Sequence, residues 1–139
     1  MEARLKGPAE LPPGAICLRP GDGRSYALGA MRAVFKADGE ETQERYSVSE
    51  WWLEPHSEGP GAHTHGDGDE LFYVLEGCTA FRIGDVWTDA PAGSFILVPA
   101  GIAHDFANRT DSRTGVLNVF TAGFEKDMPA IVEWYRKRG

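Results

Sequence analysis

Two histidines two positions apart, a carboxylate five residues later and a glycine seven further on stand in residues 59–77, GPGAHTHGDGDELFYVLEG. His63 and His65 project from one face of an extended chain, so both imidazoles can reach one point, as a cation requires. Gly66, Asp67 and Gly68 allow a sharp backbone turn before Glu70 opens the apolar run 71–75, which returns its carboxylate beside the imidazoles. Taken alone, His-x-His fits a pair of exposed loop histidines equally well. A second cluster shifts that balance. Residues 93–108, GSFILVPAGIAHDFAN, contain a short apolar strand, a Pro-Ala-Gly turn, then His104 and Asn108. Pro99 suits the first central position of a type I turn and Gly101 its last, which predicts a hairpin returning His104 toward the preceding strand. The chain has four histidines, and His104 is the third candidate ligand.

These residues resemble the two signatures of the cupins. The first, G-x5-H-x-H-x3,4-E-x6-G, is met by His63, His65, Glu70 and Gly77. Its opening glycine is replaced by Ser57, with Gly59 and Gly61 close enough to serve the turn. The second, G-x5-P-x-G-x2-H-x3-N, is met at every position by Gly93, Pro99, Gly101, His104 and Asn108. Fifteen residues separate Gly77 from Gly93, the compact spacing of the smallest cupins.

At 139 residues the chain suits one domain. A hydrophobic share of 42% supports a packed core, and seventeen glycines with nine prolines favour short strands and many turns. A net charge of −7 opposes partners rich in phosphate, so neither nucleic acid nor an anionic membrane is expected. Residues 1–8, MEARLKGP, are charged and lack the apolar core of a signal peptide, so a cytoplasmic location is expected. The longest uncharged stretch, 90–103, is broken by two prolines and two glycines and is too short to span a bilayer. Cys17 and Cys78 read as reduced thiols used in packing.

Residues 1–25 form a proline- and glycine-rich arm with a short strand at 16–18. One or two strands are expected around Gly29 in 26–36, a turn at Asp38-Gly39, and strands at 45–54, 71–75, 79–83, 86–88 and 116–120. Gly84-Asp85 is the signal of a two-residue hairpin. Turns every eight to twelve residues favour a β-sandwich or barrel. The resemblance selects from these an all-β double-stranded β-helix, the jelly-roll barrel, over 26–121, with the site inside. Phe124, Met128, Ile131 and Tyr135 recur at helical spacing, which predicts a C-terminal helical segment within 122–139 that covers a barrel edge. Pro129 requires either two short turns or a helix starting near Asp127.

His63, His65, Glu70 and His104 would leave one divalent ion with a formal charge near plus one and, if it is octahedral, two open positions. This donor set suits Mn, Fe, Co, Ni or Zn rather than a closed structural zinc site. If Glu70 points inward, Phe72 and Val74 follow it and wall the site, with Phe106 joining from beside His104. Of the adjacent Trp51 and Trp52, one faces the core and the other is an interface candidate. His56 belongs to neither motif and reads as a surface or barrel-mouth residue.

The wider pattern is similar to small cupins of the quercetin dioxygenase type. That resemblance implies a metal-dependent dioxygenase acting on an enol, diketone or flavonol-like substrate, with Glu70 as ligand and base, in a homodimer. Oxalate-degrading relatives commonly hold two barrels in one chain and are not expected at this length. A cupin that binds or senses a small ligand without turnover and a metal-assisted isomerase or lyase are the alternatives.

Overall fold

The computed structural model describes residues 11–64 and 68–138. Its strands are β1 (Arg24–Leu28), β2 (Met31–Ala37), β3 (Ser47–Leu53), β4 (Ser57–Glu58), β5 (Glu70–Glu76), β6 (Cys78–Ile83), β7 (Val86–Pro91), β8 (Phe95–Val98), β9 (His104–Asn108) and β10 (Thr114–Phe120). A short helix, α1 (Gly39–Thr42), follows β2, and a 3₁₀ turn (Glu125–Asp127) leads into α2 (Met128–Arg138). The strands form two antiparallel sheets, one in the order β1-β2-β3-β10-β5-β8 and the other β4-β9-β6-β7. This is the expected jelly roll.

Strict alternation builds the interior. In β3, Ser47, Ser49, Trp51 and Leu53 point inward while Val48, Glu50 and Trp52 point out. In β5 the buried set is Glu70, Phe72 and Val74, as period two requires. Phe72 joins the sheets: its ring centroid lies 5.0 Å from Phe81 and 5.7 Å from Phe106, both on the smaller sheet. Each such ring removed from water contributes about 1.5–3 kcal/mol. Trp51 is buried and packs on Phe106, whereas Trp52 lies outside with the Arg113 guanidinium 4.5 Å over its ring.

Four local expectations need correction. Residues 16–18 form no strand; Ile16 and Leu18 are exposed, because flanking prolines leave that tripeptide without a ladder to join. Cys17 beside them is exposed, so only the half-buried Cys78 takes part in packing. Asp38-Gly39 is no turn but the start of α1, where Glu41 accepts from the Asp38 amide at 2.8 Å as in a capping box. The Pro-Ala-Gly segment does not close a hairpin. Ile102 N–H donates to Pro99 O at 3.3 Å and Gly101 has φ +84, so glycine occupies the third position of the turn, where a type II geometry demands it. The chain thereby passes from β8 in the larger sheet to β9 in the smaller one.

The hairpin at Gly84-Asp85 is present, pairing Ile83 with Val86. The C-terminal segment combines the two expected forms, a 3₁₀ turn running into a helix with Pro129 in its first turn. Met128 is fully buried, and Ile131, Val132 and Tyr135 pack against the core.

That helix is tied to the barrel by polar groups. Asp38 Oδ1 accepts from the Phe124 and Glu125 amides, each at 2.9 Å. Arg24 Nε donates to Glu125 at 2.7 Å, and Tyr26 Oη donates to the same carboxylate. Burial acts to raise the Asp38 pKa, but the amides of Gly39, Phe124 and Glu125 prevail and hold it below the ordinary value. A depressed carboxylate contributes stability above its unfolded pKa of about 3.9 and loses it as pH falls through the folded value. Asp38→Asn is expected to cost about 1.5–3 kcal/mol at neutral pH, the range for a hydrogen bond to a charged group. Urea unfolding of both proteins should show that difference shrinking as the solution is acidified below the unfolded value.

Candidate metal centre

The donor groups gather where the two sheets face each other. Glu70 opens β5 in the larger sheet and His104 opens β9 in the smaller one. His63 lies before β5 and is held to β9 by two backbone bonds, His63 N–H to His104 O at 3.0 Å and His104 N–H to His63 O at 2.9 Å. This bridge sets the two rings 4.4 Å apart between centroids. One ligand atom from each of His63, Glu70 and His104 lies within 4.8 Å of the others. His65, the remaining candidate, falls outside the described residues.

Hydrogen bonding fixes what each ring presents. His63 Nδ1 faces Gly61 O at 2.6 Å and His104 Nδ1 faces Ile102 O at 2.9 Å. A carbonyl only accepts, so both Nδ1 atoms carry hydrogen and, in a neutral ring, Nε2 keeps its lone pair. Yet His104 Nε2 lies 2.6 Å from Glu70 Oε1, with both side chains buried. Two acceptors at that separation require a proton or a metal cation between them. Burial acts to lower the His104 pKa, but the Glu70 carboxylate and the Ile102 carbonyl outweigh it and raise the value. The second carboxylate oxygen, Oε2, accepts from Asn118 Nδ2 at 2.8 Å. This donor set, two oriented imidazoles and a carboxylate, fits a divalent transition metal.

Asn118 was not singled out in the sequence. Its signal was there: in 116–120 the strand period sends Val116, Asn118 and Phe120 to one face, and an amide on the inner face needs a polar partner. Asn108, the last residue of the second motif, lies away from the cavity and holds a corner. Its Nδ2 donates to Leu53 O, Glu54 O and Ser112 O, while Oδ1 accepts from the Thr110 amide and hydroxyl. His56 is exposed, pairs with Asp111 and lines a separate outer hollow with Trp87 and Arg109, as befits a surface residue.

His63 and Glu70 line a cavity of about 420 Å³, and His104 reaches its edge through Glu70. Phe72 and Phe106 wall it as expected, joined by Trp51, Met31 and Phe120, whereas Val74 points inward but is buried in the core and does not line it. The C-terminal segment was expected only to cover a barrel edge. In the structure Phe124, Ala130, Ile131, Trp134 and Tyr135 line this same cavity, a placement that no local pattern in the sequence encodes.

A family model described as a cupin domain matches residues 49–120. Among solved structures, a predicted oxalate decarboxylase from Thermotoga maritima aligns with a TM-score of 0.72 and 18% identity over 77% of this chain and 99% of its own. The structure of KdgF from Halomonas sp. aligns with a TM-score of 0.70 and 12% identity, covering 81% and 97%. A sugar phosphate isomerase of the cupin superfamily from Silicibacter pomeroyi aligns with a TM-score of 0.60 and 26% identity, covering 68% and 60%. No curated protein matches the chain. The Thermotoga protein aligns over nearly its whole length with this one barrel.

The raised His104 value has opposite consequences for the metal-free and metal-bound forms. Without metal, the charged His104–Glu70 pair stabilises the fold below the unfolded histidine pKa of about 6.5, and that contribution is lost as pH rises through the folded value. Metal must displace the same proton, so affinity should fall as pH drops through the raised His104 pKa. Titration with Zn or Ni across that range checks the sign. His104→Ala and His63→Ala should each weaken metal binding at every pH.

Proposed function

The chain belongs to the cupin family, and from that premise we propose that it is a metal-dependent small-molecule enzyme of the dioxygenase type. Its substrate would be an enol, diketone or flavonol-like compound. The observation that carries this reading is the buried contact between Glu70 and the lone-pair side of His104, with His63 beside it, where Glu70 and His63 line a largely apolar cavity. His63, His65, Glu70 and His104 would hold one divalent ion, which when bound supplies Lewis acidity and a seat for two chelating oxygens. The chain's own residues do the rest. Asn118 anchors one carboxylate oxygen of Glu70, the other, Oε1, keeps a second lone pair beside its contact with His104 that can accept an enol proton, and Phe72, Phe106 and Trp51 keep water away from the developing anion.

Cavity charge selects among substrate classes. No Lys or Arg is found among the described residues lining it. Oxalate or a sugar phosphate would bring two negative charges into that space with no cationic side chain to add to the ion's residual charge near plus one, and burying the excess is costly. A neutral or singly ionised chelator avoids that cost. A second reading, binding or sensing without turnover, is favoured by Glu70 being the sole carboxylate among the described lining residues. An isomerase or lyase would use Glu70 as a base without oxygen.

Oxygen uptake by protein loaded separately with Mn, Fe, Co or Ni, in the presence of enol, diketone and flavonol compounds, tests the reading. Conversion that proceeds equally without oxygen would point to an isomerase or lyase, and saturable binding alone to a sensor. Glu70→Gln keeps a shape that Asn118 can hold but removes the base. Turnover per bound metal should fall by about 10²- to 10⁴-fold, well beyond the loss of metal. Equal turnover per metal would remove Glu70 from the chemistry.

The proposed assembly is a homodimer, seated away from either tryptophan. Trp52 is covered by Arg113, whereas Phe95, Leu97, Tyr73 and Leu75 are 61%, 52%, 44% and 39% exposed on the outer face of β8 and β5. Leu97 pairs with Leu71 and Phe95 with Tyr73, so the patch is continuous and uncharged on an acidic protein, beside the open edge of β8. Sedimentation should show a dimer at micromolar concentration and a monomer for Phe95→Glu. A wild-type monomer would dismiss this interface.

A further inference from the structure

The smaller sheet changes register where it meets the donors. β4 pairs Ser57 with Asn108 and Glu58 with Ala107. Continued without interruption, that ladder would set Gly61 opposite His104, but the bridge pairs His63 with His104 instead. Residues 59–62 therefore lie as a bulge against Asp105 and Phe106 alone. Because the slip is an even number of residues, the face is retained, and an imidazole stands where the regular ladder would put a glycine. The seat of His63 thus depends on what holds this bulge.

Its two ends are held differently. At the near end Gly59 lies so close to β9 that a Cβ would fall 1.8 Å from Phe106 O, and Tyr135 Oη donates to Gly59 O at 3.3 Å. At the far end a Cβ on Gly61 would meet nothing within 4 Å, so packing does not restrain it. A carboxylate does. Asp105 Oδ1 accepts from Gly61 N–H at 3.0 Å and from Phe106 N–H at 2.8 Å, taking one donor from each side of the bulge. Gly61 in turn offers its carbonyl to His63 Nδ1 at 2.6 Å.

We propose that Asp105 is a positioning residue of the metal centre, pinning the 59–62 bulge from the outer face of β9 so that Gly61 O fixes the tautomer and pitch of the His63 ring. This inference rests on the metal-centre reading above. Asp105 is itself no donor to that centre. Strand period turns it, with Ala107, away from the side of His104 and Phe106, and it lines the outer hollow beside His56 and Arg109. The bridge to His104 fixes the backbone of His63, whereas the carbonyl facing Nδ1 sets how its ring is presented. Gly61 is exposed, so without the carboxylate water would compete for its amide and its carbonyl would lose its fixed direction.

The full-length chain and three variants test the pin. Calorimetric titration with zinc should show Asp105→Ala weakened by about tenfold or more, the scale for losing a group that orients a metal-bound histidine. Asp105→Asn keeps an oxygen that can accept from both amides and should restore most of the affinity. In a His63→Ala protein the further change Asp105→Ala should cost nothing more, because it acts through His63. Cobalt supplies a second readout: its visible absorption should shift in Asp105→Ala and match the wild type in Asp105→Asn. Wild-type affinity and an unchanged cobalt spectrum in Asp105→Ala would overturn the pin and leave the metal centre standing. Asp105→Asn as weak as Asp105→Ala would overturn it too, since the carboxylate would then act by charge. So would an equal loss with and without His63, which would mark a general effect on the fold. A wild-type chain that takes up neither zinc nor cobalt would remove the metal centre and this inference with it.

Discussion

A carboxylate buried inside an apolar barrel must be compensated, and the arrangement around Glu70 meets that constraint. At 8% exposure it has little access to water, so His104, at 3%, and Asn118, at 6%, share its two oxygens. The pair spans the two sheets, from the start of β5 to the start of β9. Removing either partner would leave a buried charge or lone pair without its counterpart, which costs far more than the intact contact contributes. The same contact is satisfied by a proton on His104 or by a metal cation in its place. Fold and chemistry therefore make one demand on these residues.

Meeting it needs precise backbone placement, which comes from groups outside the cavity. Gly61 O and Ile102 O orient the two imidazoles, and the backbone bridge between His63 and His104 sets their separation. Asn108 then holds the corner beyond β9 through both ends of its amide. It stands in the second motif with the ligand candidate His104, yet touches no donor. Its role is to keep β9 and the following loop in place, so the motif records both a site and its support.

The regular parts of this architecture could be read from the sequence because they follow strand periodicity. Phe72 and Val74 face inward with Glu70, and Trp51 and Trp52 separate to opposite faces, for the reason that neighbouring strand residues must. Positions set by tertiary partners were less legible. Residues 16–18 alternate correctly but have no ladder to join, and Asp38-Gly39 has turn chemistry but is used to start α1. At residues 99–102, proline and glycine marked a turn without fixing its register or the sheet to which the chain crossed. Asn118 had a visible signal in its strand phase. The helical pattern of 124–135 identified a buried face, but amphipathicity says only that a helix packs on something, not that it packs over a cavity.

That last point bears on how one barrel can serve different ligands. The family match spans residues 49–120 and includes His63, Glu70, His104 and Asn118. Met31, Phe124, Ala130, Ile131, Trp134 and Tyr135 line the same cavity and lie outside the match. Donor chemistry is thus concentrated in the shared barrel, while much of the surface a ligand body would meet comes from β2 and the C-terminal segment. The two parts obey different constraints. A change among the donors disturbs a compensated buried charge, whereas a change at Ala130 or Trp134 alters shape at the rim without exposing one. Recognition can diverge there while the centre is preserved, and similarity across the barrel need not extend to the molecule held within it.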